Sequence, residues 1–242
     1  MKIKNRIILI TGGAVRVGRM ITTELISAGA IVYCHYFSSE NNARKLKDEL
    51  DTDRLHLIRG DLNSLDFVSR MVDRIIEEAG QLDVLINNAA IFFKTPLGNV
   101  TEEDWDRLFQ LNLKTPFFLA QRTGMYMKRH GQGKIINIGD PSGSNPWPAF
   151  IPYGITKSGI IAMTKGLAKA LAPQVQVNCI NPGPVMFPDH YNQEERERAL
   201  KKTLLKREGS PEDISKTVRF VLEGSDYITG AIINVDGGRS IA

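Results

Sequence analysis

Short runs rich in β-branched and other apolar residues recur along the chain at 6–10, 30–36, 55–60, 82–87, 134–138, 175–180 and 231–235, separated by longer amphipathic stretches. Each run has strand length, and its near-continuous apolar character suits a strand covered on both faces. The pattern predicts seven strands. The stretches between them are long enough for helices, including one over 19–28 and a charged one over 194–202. Two carry start signals: Thr101-Glu102-Glu103-Asp104 resembles a capping box, and Ser210-Pro211-Glu212-Asp213 puts proline at the first helical position. Strands alternating with helices argue for βαβ crossovers, hence a parallel α/β sheet with helices on both faces. No repeat, low-complexity segment or linker divides the chain, so one domain over 1–242 is expected. Glycine and proline gather at 139–148, 182–188 and 236–238; the first two clusters follow strand ends, where an open α/β sheet binds ligands.

Composition narrows the class. Of 242 residues, 42% are hydrophobic and 24% charged, which argues against disorder, collagen and coiled coil. Subtracting 27 acidic from 31 basic residues leaves +4, a modest field, and no nucleic-acid partner is expected. Cys34 and Cys179 both lie in apolar strand-like runs and read as small core residues, which suits a reducing, cytoplasmic setting. No apolar run approaches the roughly 18 residues of a membrane span. The apolar run 7–10 after the basic Met1-Lys2-Ile3-Lys4 is shorter than the roughly 7–15 residues of a signal-peptide core. It reads as the first strand, and no membrane partner is expected.

After that strand comes Thr11-Gly12-Gly13-Ala14-Val15-Arg16-Val17-Gly18. Glycines let a backbone turn tightly and approach a pyrophosphate, while a following helix offers unpaired N–H groups to the anion. Gly12, Arg16, Val17 and Gly18 are therefore candidate phosphate-binding positions. Folds that prefer NAD usually place a carboxylate at the end of the second strand to hold the ribose diol. Here that end reads His35-Tyr36-Phe37-Ser38-Ser39, with no carboxylate before Glu40. Arg16, His35, Ser38 and Ser39 are donors that suit a 2′-phosphate, so NADP(H) is expected; a solvated Arg16 is the alternative.

Asp61-Leu62 ends the third strand, where Asp61 would accept from the adenine amino group or else cap a helix. Asn87-Asn88-Ala89-Ala90 ends the fourth, with small residues leaving room for a ribose. Asn112 falls within a helical stretch, where a buried amide would interrupt the backbone ladder or hold a water. Tyr153-Gly154-Ile155-Thr156-Lys157 puts a phenol and an ammonium four residues apart, on one helix face. A nearby cation is expected to lower the tyrosine pKa and make Tyr153 a usable acid, while Lys157 also reaches the nicotinamide ribose.

With these motifs in view, the chain resembles the short-chain dehydrogenase/reductases over nearly its full length. The resemblance rests on the 11–18 turn, Asp61, Asn87-Asn88-Ala89, Asn112, Tyr153 with Lys157, Asn181-Pro182-Gly183, Tyr227-Ile228-Thr229-Gly230 and Val235-Asp236-Gly237-Gly238. It implies a doubly wound, Rossmann-type seven-stranded sheet, hydride transfer between a nicotinamide and a small-molecule substrate, and commonly a homotetramer. It also implies catalytic roles for Asn112, Asp140, Tyr153 and Lys157, and cofactor contacts that include Tyr36, Asn88, Ala89, Ala90, Pro182, Gly183 and Val185. Two departures from the common pattern are informative: Arg16 replaces the usual middle glycine, and Asp140 replaces the usual serine thirteen residues before the tyrosine. Both resemble the pteridine reductase branch, as do His35-Tyr36 and Asn88-Ala89-Ala90-Ile91-Phe92-Phe93 followed by Thr95-Pro96-Leu97. There Phe92 corresponds to the aromatic that stacks a pterin on the nicotinamide, with core packing as its alternative. The branch implies reduction of a pterin or folate C=N bond, with Phe92, Asp140 and Tyr153 at the substrate. Reduction of carbonyls, as by a 3-oxoacyl carrier-protein reductase, is the second expectation, for which Arg122, Lys128, Arg129 and His130 would supply part of a basic patch. A non-catalytic NADP sensor is a remote third. The segment 185–207 is expected to form a substrate lid, with His190 and Tyr191 either ligand-facing or, as the alternative, solvated loop positions.

Overall fold

The computed structural model describes residues 1–187 and 191–242. All seven expected strands form: β1 (Ile7–Ile10), β2 (Ile31–Tyr36), β3 (Leu55–Arg59), β4 (Val84–Asn87), β5 (Gly133–Ile138), β6 (Val175–Pro182) and β7 (Ile232–Val235). They make one parallel sheet in the order β3-β2-β1-β4-β5-β6-β7. Strand order reverses beside β1, which pairs with β2 on one edge and β4 on the other, so a crevice opens there beyond the carboxyl ends.

The helices are α1 (Arg16–Ser27), α2 (Glu40–Leu50), α3 (Leu65–Ala79), α4 (Glu102–Phe109), α5 (Thr115–Arg129), α6 (Ile151–Leu171), α7 (Gln193–Lys201) and α8 (Pro211–Glu223). Side chains alternate across a strand with period two, and β1 divides its residues accordingly. Ile8 and Ile10 join a core built with α1, α2 and α8, whereas Ile7 and Leu9 join one built with α3, α5 and α6. Both faces of the sheet are thus covered in a doubly wound, Rossmann-like α/β domain. The expected capping box at Thr101 forms with Asp104, and Ser210 makes another with Asp213 ahead of Pro211. Helix α1 starts at Arg16, three residues before the expected position, because the glycine turn runs directly into it.

Cys34 and Cys179 are free and buried, and burial pushes both thiols up to about 12. No helix among the described residues is long and apolar enough to cross a membrane.

Candidate active site

The crevice is anchored by short polar contacts between β1 and β4. Thr11 Oγ1 accepts from the N–H groups of Asn88 and Ala89, each at 3.0 Å, and Asn88 Nδ2 donates to the carbonyls of Thr11 and Gly12 at 2.9 and 3.0 Å. Two strand ends distant in sequence are thereby held in one register. Gly12 has φ of 62°, and a Cβ on Gly18 would lie 2.2 Å from the Gly12 carbonyl oxygen, so the turn and α1 approach as closely as backbone allows.

Beyond these strand ends lies a cavity of about 840 Å³. It is lined by Gly12, Arg16, Val17, Gly18, His35, Tyr36, Ser38, Ser39, Asp61, Leu62, Asn88, Ala89, Ala90, Phe92, Asp140, Tyr153, Lys157, Pro182, Gly183 and Val185, so every expected cofactor and substrate residue meets in one space. The donor set fits a dinucleotide. Helix α1 opens on the cavity with no side-chain cap and no acidic residue in its first turn, leaving N-terminal amides for an anion. Arg16 and the serines 38 and 39 lie along the same wall. Asp61 does not cap α3, a task that Ser64 performs; its Oδ1 accepts from the backbone and side-chain N–H groups of Asn63, both at 2.9 Å.

His35 differs from expectation. Its imidazole is buried, with Gly12 N–H donating to Nδ1 at 3.4 Å and Gly60 oxygen 3.0 Å from Nε2. An acceptor at Nδ1 requires the proton on Nε2, which then donates to Gly60. Burial holds the ring pKa below its usual value. His35 therefore braces the glycine turn as a neutral ring and is not a charged phosphate donor.

The candidate catalytic side chains come from the loop after β5 and from α6. Asp140 accepts from Ser142 N–H at 2.7 Å and from the Tyr153 hydroxyl at 3.1 Å. Lys157 Nζ donates to the Ile138 carbonyl at 3.0 Å and lies 5.6 Å from the centre of the Tyr153 ring. The expected lowering of the Tyr153 pKa by the nearby cation is not found. Burial first, and the Asp140 charge and hydrogen bond next, hold the phenol well above its ordinary 10, while burial lowers the Lys157 pKa. This arrangement keeps Tyr153 protonated, as a proton donor requires.

Asn112 is not among the residues that line the cavity. The backbone widens into a π-helical turn at Gln110–Lys114, between α4 and α5, and the amide reaches across to the 91–93 segment. Its Oδ1 accepts from Ile91 N–H and its Nδ2 donates to Ile91 oxygen, both at 2.9 Å. Asn112 thus positions Phe92, which stacks on Phe150 at 4.5 Å and meets Tyr153 edge-on at 4.9 Å.

Several cavity residues escaped the sequence reading, among them Lys94, Trp147, Phe150 and Arg239. Only the clustering of prolines and glycines at 139–148 hinted at Trp147. From the expected lid, Met186, Phe187, Tyr191, Glu195, Arg198, Ala199 and Lys202 line the cavity, whereas Pro188, Asp189 and His190 lie outside the described residues.

Residues 13–240 match the family model described as Enoyl-(Acyl carrier protein) reductase. The chain is 32% identical over 251 residues to a 3-oxoacyl-[acyl-carrier-protein] reductase of Thermotoga maritima, covering 100% of each. Among solved structures it resembles a short-chain dehydrogenase/reductase mutant of Serratia marcescens, with a TM-score of 0.92 and 27% identity over 99% of this chain and 100% of that one. It also resembles a blue fluorescent protein from a metagenomic library in complex with NADPH, with a TM-score of 0.90 and 31% identity over 99% of both. A parallel sheet wound around a glycine turn, a buried Tyr153-Lys157 pair and matches along the whole chain place this protein in the short-chain dehydrogenase/reductase family of oxidoreductases.

Proposed function

We propose that the protein is an NADPH-dependent reductase of a flat heteroaromatic C=N substrate of the pterin or folate type. The observation that carries this reading is the 3.1 Å hydrogen bond from Tyr153 to Asp140, beside the aromatic wall of Phe92 and Phe150. A carboxylate at the reacting centre repels a developing alkoxide, whereas a substrate nitrogen protonated as hydride arrives carries no negative charge of its own. Aromatic stacking adds to burial for a planar ring.

The nicotinamide, when bound, supplies hydride to an electron-poor carbon. The amides of Val17 and Gly18 would hold the pyrophosphate, and Arg16 with Ser38 and Ser39 would take the 2′-phosphate. Glu40, the first carboxylate after β2, is paired with Arg44 at 2.6 Å and Arg59 at 2.9 Å, so its charge is offset near that phosphate. Tyr153 donates its proton to the substrate nitrogen. Lys157, with one of its three donors on Ile138, has two left for the ribose and for the phenolate that the transfer leaves. Asp140 orients the phenol.

A second reading, reduction of a 3-oxoacyl thioester, is favoured by the name of the Thermotoga relative. The basic patch once expected for it is largely engaged: Arg122 pairs with Asp73, and Lys128 and His130 contact backbone carbonyls. NADPH consumption measured in parallel with dihydropterin, dihydrofolate, folate, acetoacetyl thioester and simple ketones separates the readings. The pterin substrates are expected to be reduced, and activity confined to the thioester overturns that assignment.

Exposed aromatic residues on α4 and α5, namely Trp105, Phe117 and Phe118, support assembly into a homotetramer. Light scattering that returns only the 27.0 kDa mass of one chain would reject it. The two free thiols suit a cytoplasmic setting.

A further inference from the structure

The C-terminal turn Arg239–Ile241 follows Gly237 and Gly238, both at positive φ, and brings Arg239 back over the substrate end of the cavity. Its guanidinium lies 4.6 Å from the centre of the Trp147 ring, and Nη1 donates to the Ala199 carbonyl of α7 at 2.9 Å. The two carboxylates whose charge acts on it, Asp140 and Asp236, are engaged with other donors. Asp236 accepts from the N–H groups of Gly238 and Ser240, and Asp140 from Ser142 and Tyr153. A guanidinium carries five N–H donors in a planar fork. One contact with Ala199 leaves most of that fork without a partner among the described residues, in a half-buried place where an unpaired charge is costly. Lys202 and Arg198 line the same mouth, Arg198 paired with Glu194; Lys94 there is paired with Glu195.

We propose that Arg239 binds an anionic group, a carboxylate or a phosphate, carried by the substrate outside its reacting ring, with Lys202 adding charge at the rim. The inference rests on the reading that Tyr153 reduces a ligand bound in this cleft, and it narrows that ligand to one with an acidic tail. The guanidinium sits over the Trp147 ring, an attraction that leaves its N–H groups for a two-point contact with a planar oxyanion. The contact also ties the ligand to α7 through Ala199, so binding of the tail and placement of the helix are one event.

Two ligand pairs test this whichever ring the site takes. One is a dihydropterin 6-carboxylate and its neutral 6-hydroxymethyl counterpart; the other is acetoacetyl-CoA and the uncharged N-acetylcysteamine thioester. KM is measured with NADPH and binding by calorimetry with NADP⁺. In Arg239→Gln, which keeps a donor for Ala199 but loses the charge, KM or Kd for the anionic member is expected to rise about tenfold to a hundredfold, as for a charged hydrogen bond. The neutral member should move far less, and Arg239→Lys should recover part of the loss. Selective loss in the thioester pair alone supports Arg239 as the anion site and overturns the pterin reading. Equal losses for both members of a pair make Arg239 a structural anchor of α7 and overturn the proposal. So does wild-type protein that shows no preference for the anionic members.

Discussion

Arg16 holds φ of 52°, a left-handed conformation that costs an L side chain about 1–2 kcal/mol. Such strain persists where the side chain has a task, and Arg16 reaches across the crevice to donate to the Met186 carbonyl at 2.6 Å. Arg16→Gly is expected to leave stability within about 1 kcal/mol while raising KM for NADPH by tenfold or more and leaving KM for NADH nearly unchanged; steady-state kinetics with both cofactors checks it. Tyr153 is the other decisive residue. Tyr153→Phe should lower kcat by about a hundredfold to ten-thousandfold, with NADPH affinity nearly intact by fluorescence titration. The proposed reduction draws on the protonated phenol, so the rate is expected to fall as pH rises through the Tyr153 pKa. Burial and Asp140 hold that pKa well above 10. Asp140→Asn removes the charge, and the alkaline limb of the pH–rate profile is expected to move to lower pH. Tyr153 and Lys157 were legible from their spacing, Arg16 from its place in the glycine turn, and Asp140 only through the family resemblance. Their balance was not, because burial and the carboxylate outweigh the ammonium, and burial is not written in the spacing.

At the scale of elements, the π-helical turn and the 91–93 segment form one unit. Sequence pointed to a buried amide at Asn112 that breaks the backbone ladder, and the ladder does widen there. The partner could not be read, since Ile91 is distant along the chain and meets Asn112 only after α4 packs. Asn112→Leu leaves the N–H and C=O of Ile91 both unpaired, at a cost of about 2–4 kcal/mol, measurable by urea unfolding, and kcat should fall as Phe92 loses its position. Gly18→Ala is expected to raise the NADPH Kd at least tenfold, because the added Cβ would lie 2.2 Å from the Gly12 carbonyl oxygen. Helix α7 shows the same division between local and distant information. Its charged sequence announced a helix, and Asn192 caps it in a box with Glu195, yet its contact with Arg239 depends on a turn at the far end of the chain.

For the whole molecule, the cofactor half and the substrate half share one cavity at the point where strand order reverses. A ligand that binds only the folded chain stabilises it by mass action, about 2.7 kcal/mol at a hundred times Kd. Saturating NADPH should therefore raise Tm by about 5–10 °C for a chain of this size, and NADH at the same concentration by less. An equal shift with both cofactors would remove the preference assigned to Arg16, Ser38 and Ser39.

Strand and helix identity, the parallel sheet and the chemistry of Tyr153 and Lys157 all follow from neighbours in the chain, because periodicity, caps and helical spacing are local properties. His35 as a neutral brace, Asn112 as a support for Phe92, the raised Tyr153 pKa and the return of Arg239 over Trp147 are different in kind. Each depends on which groups are buried together and which donors are already used, and those facts exist only once segments far apart in sequence pack against one another.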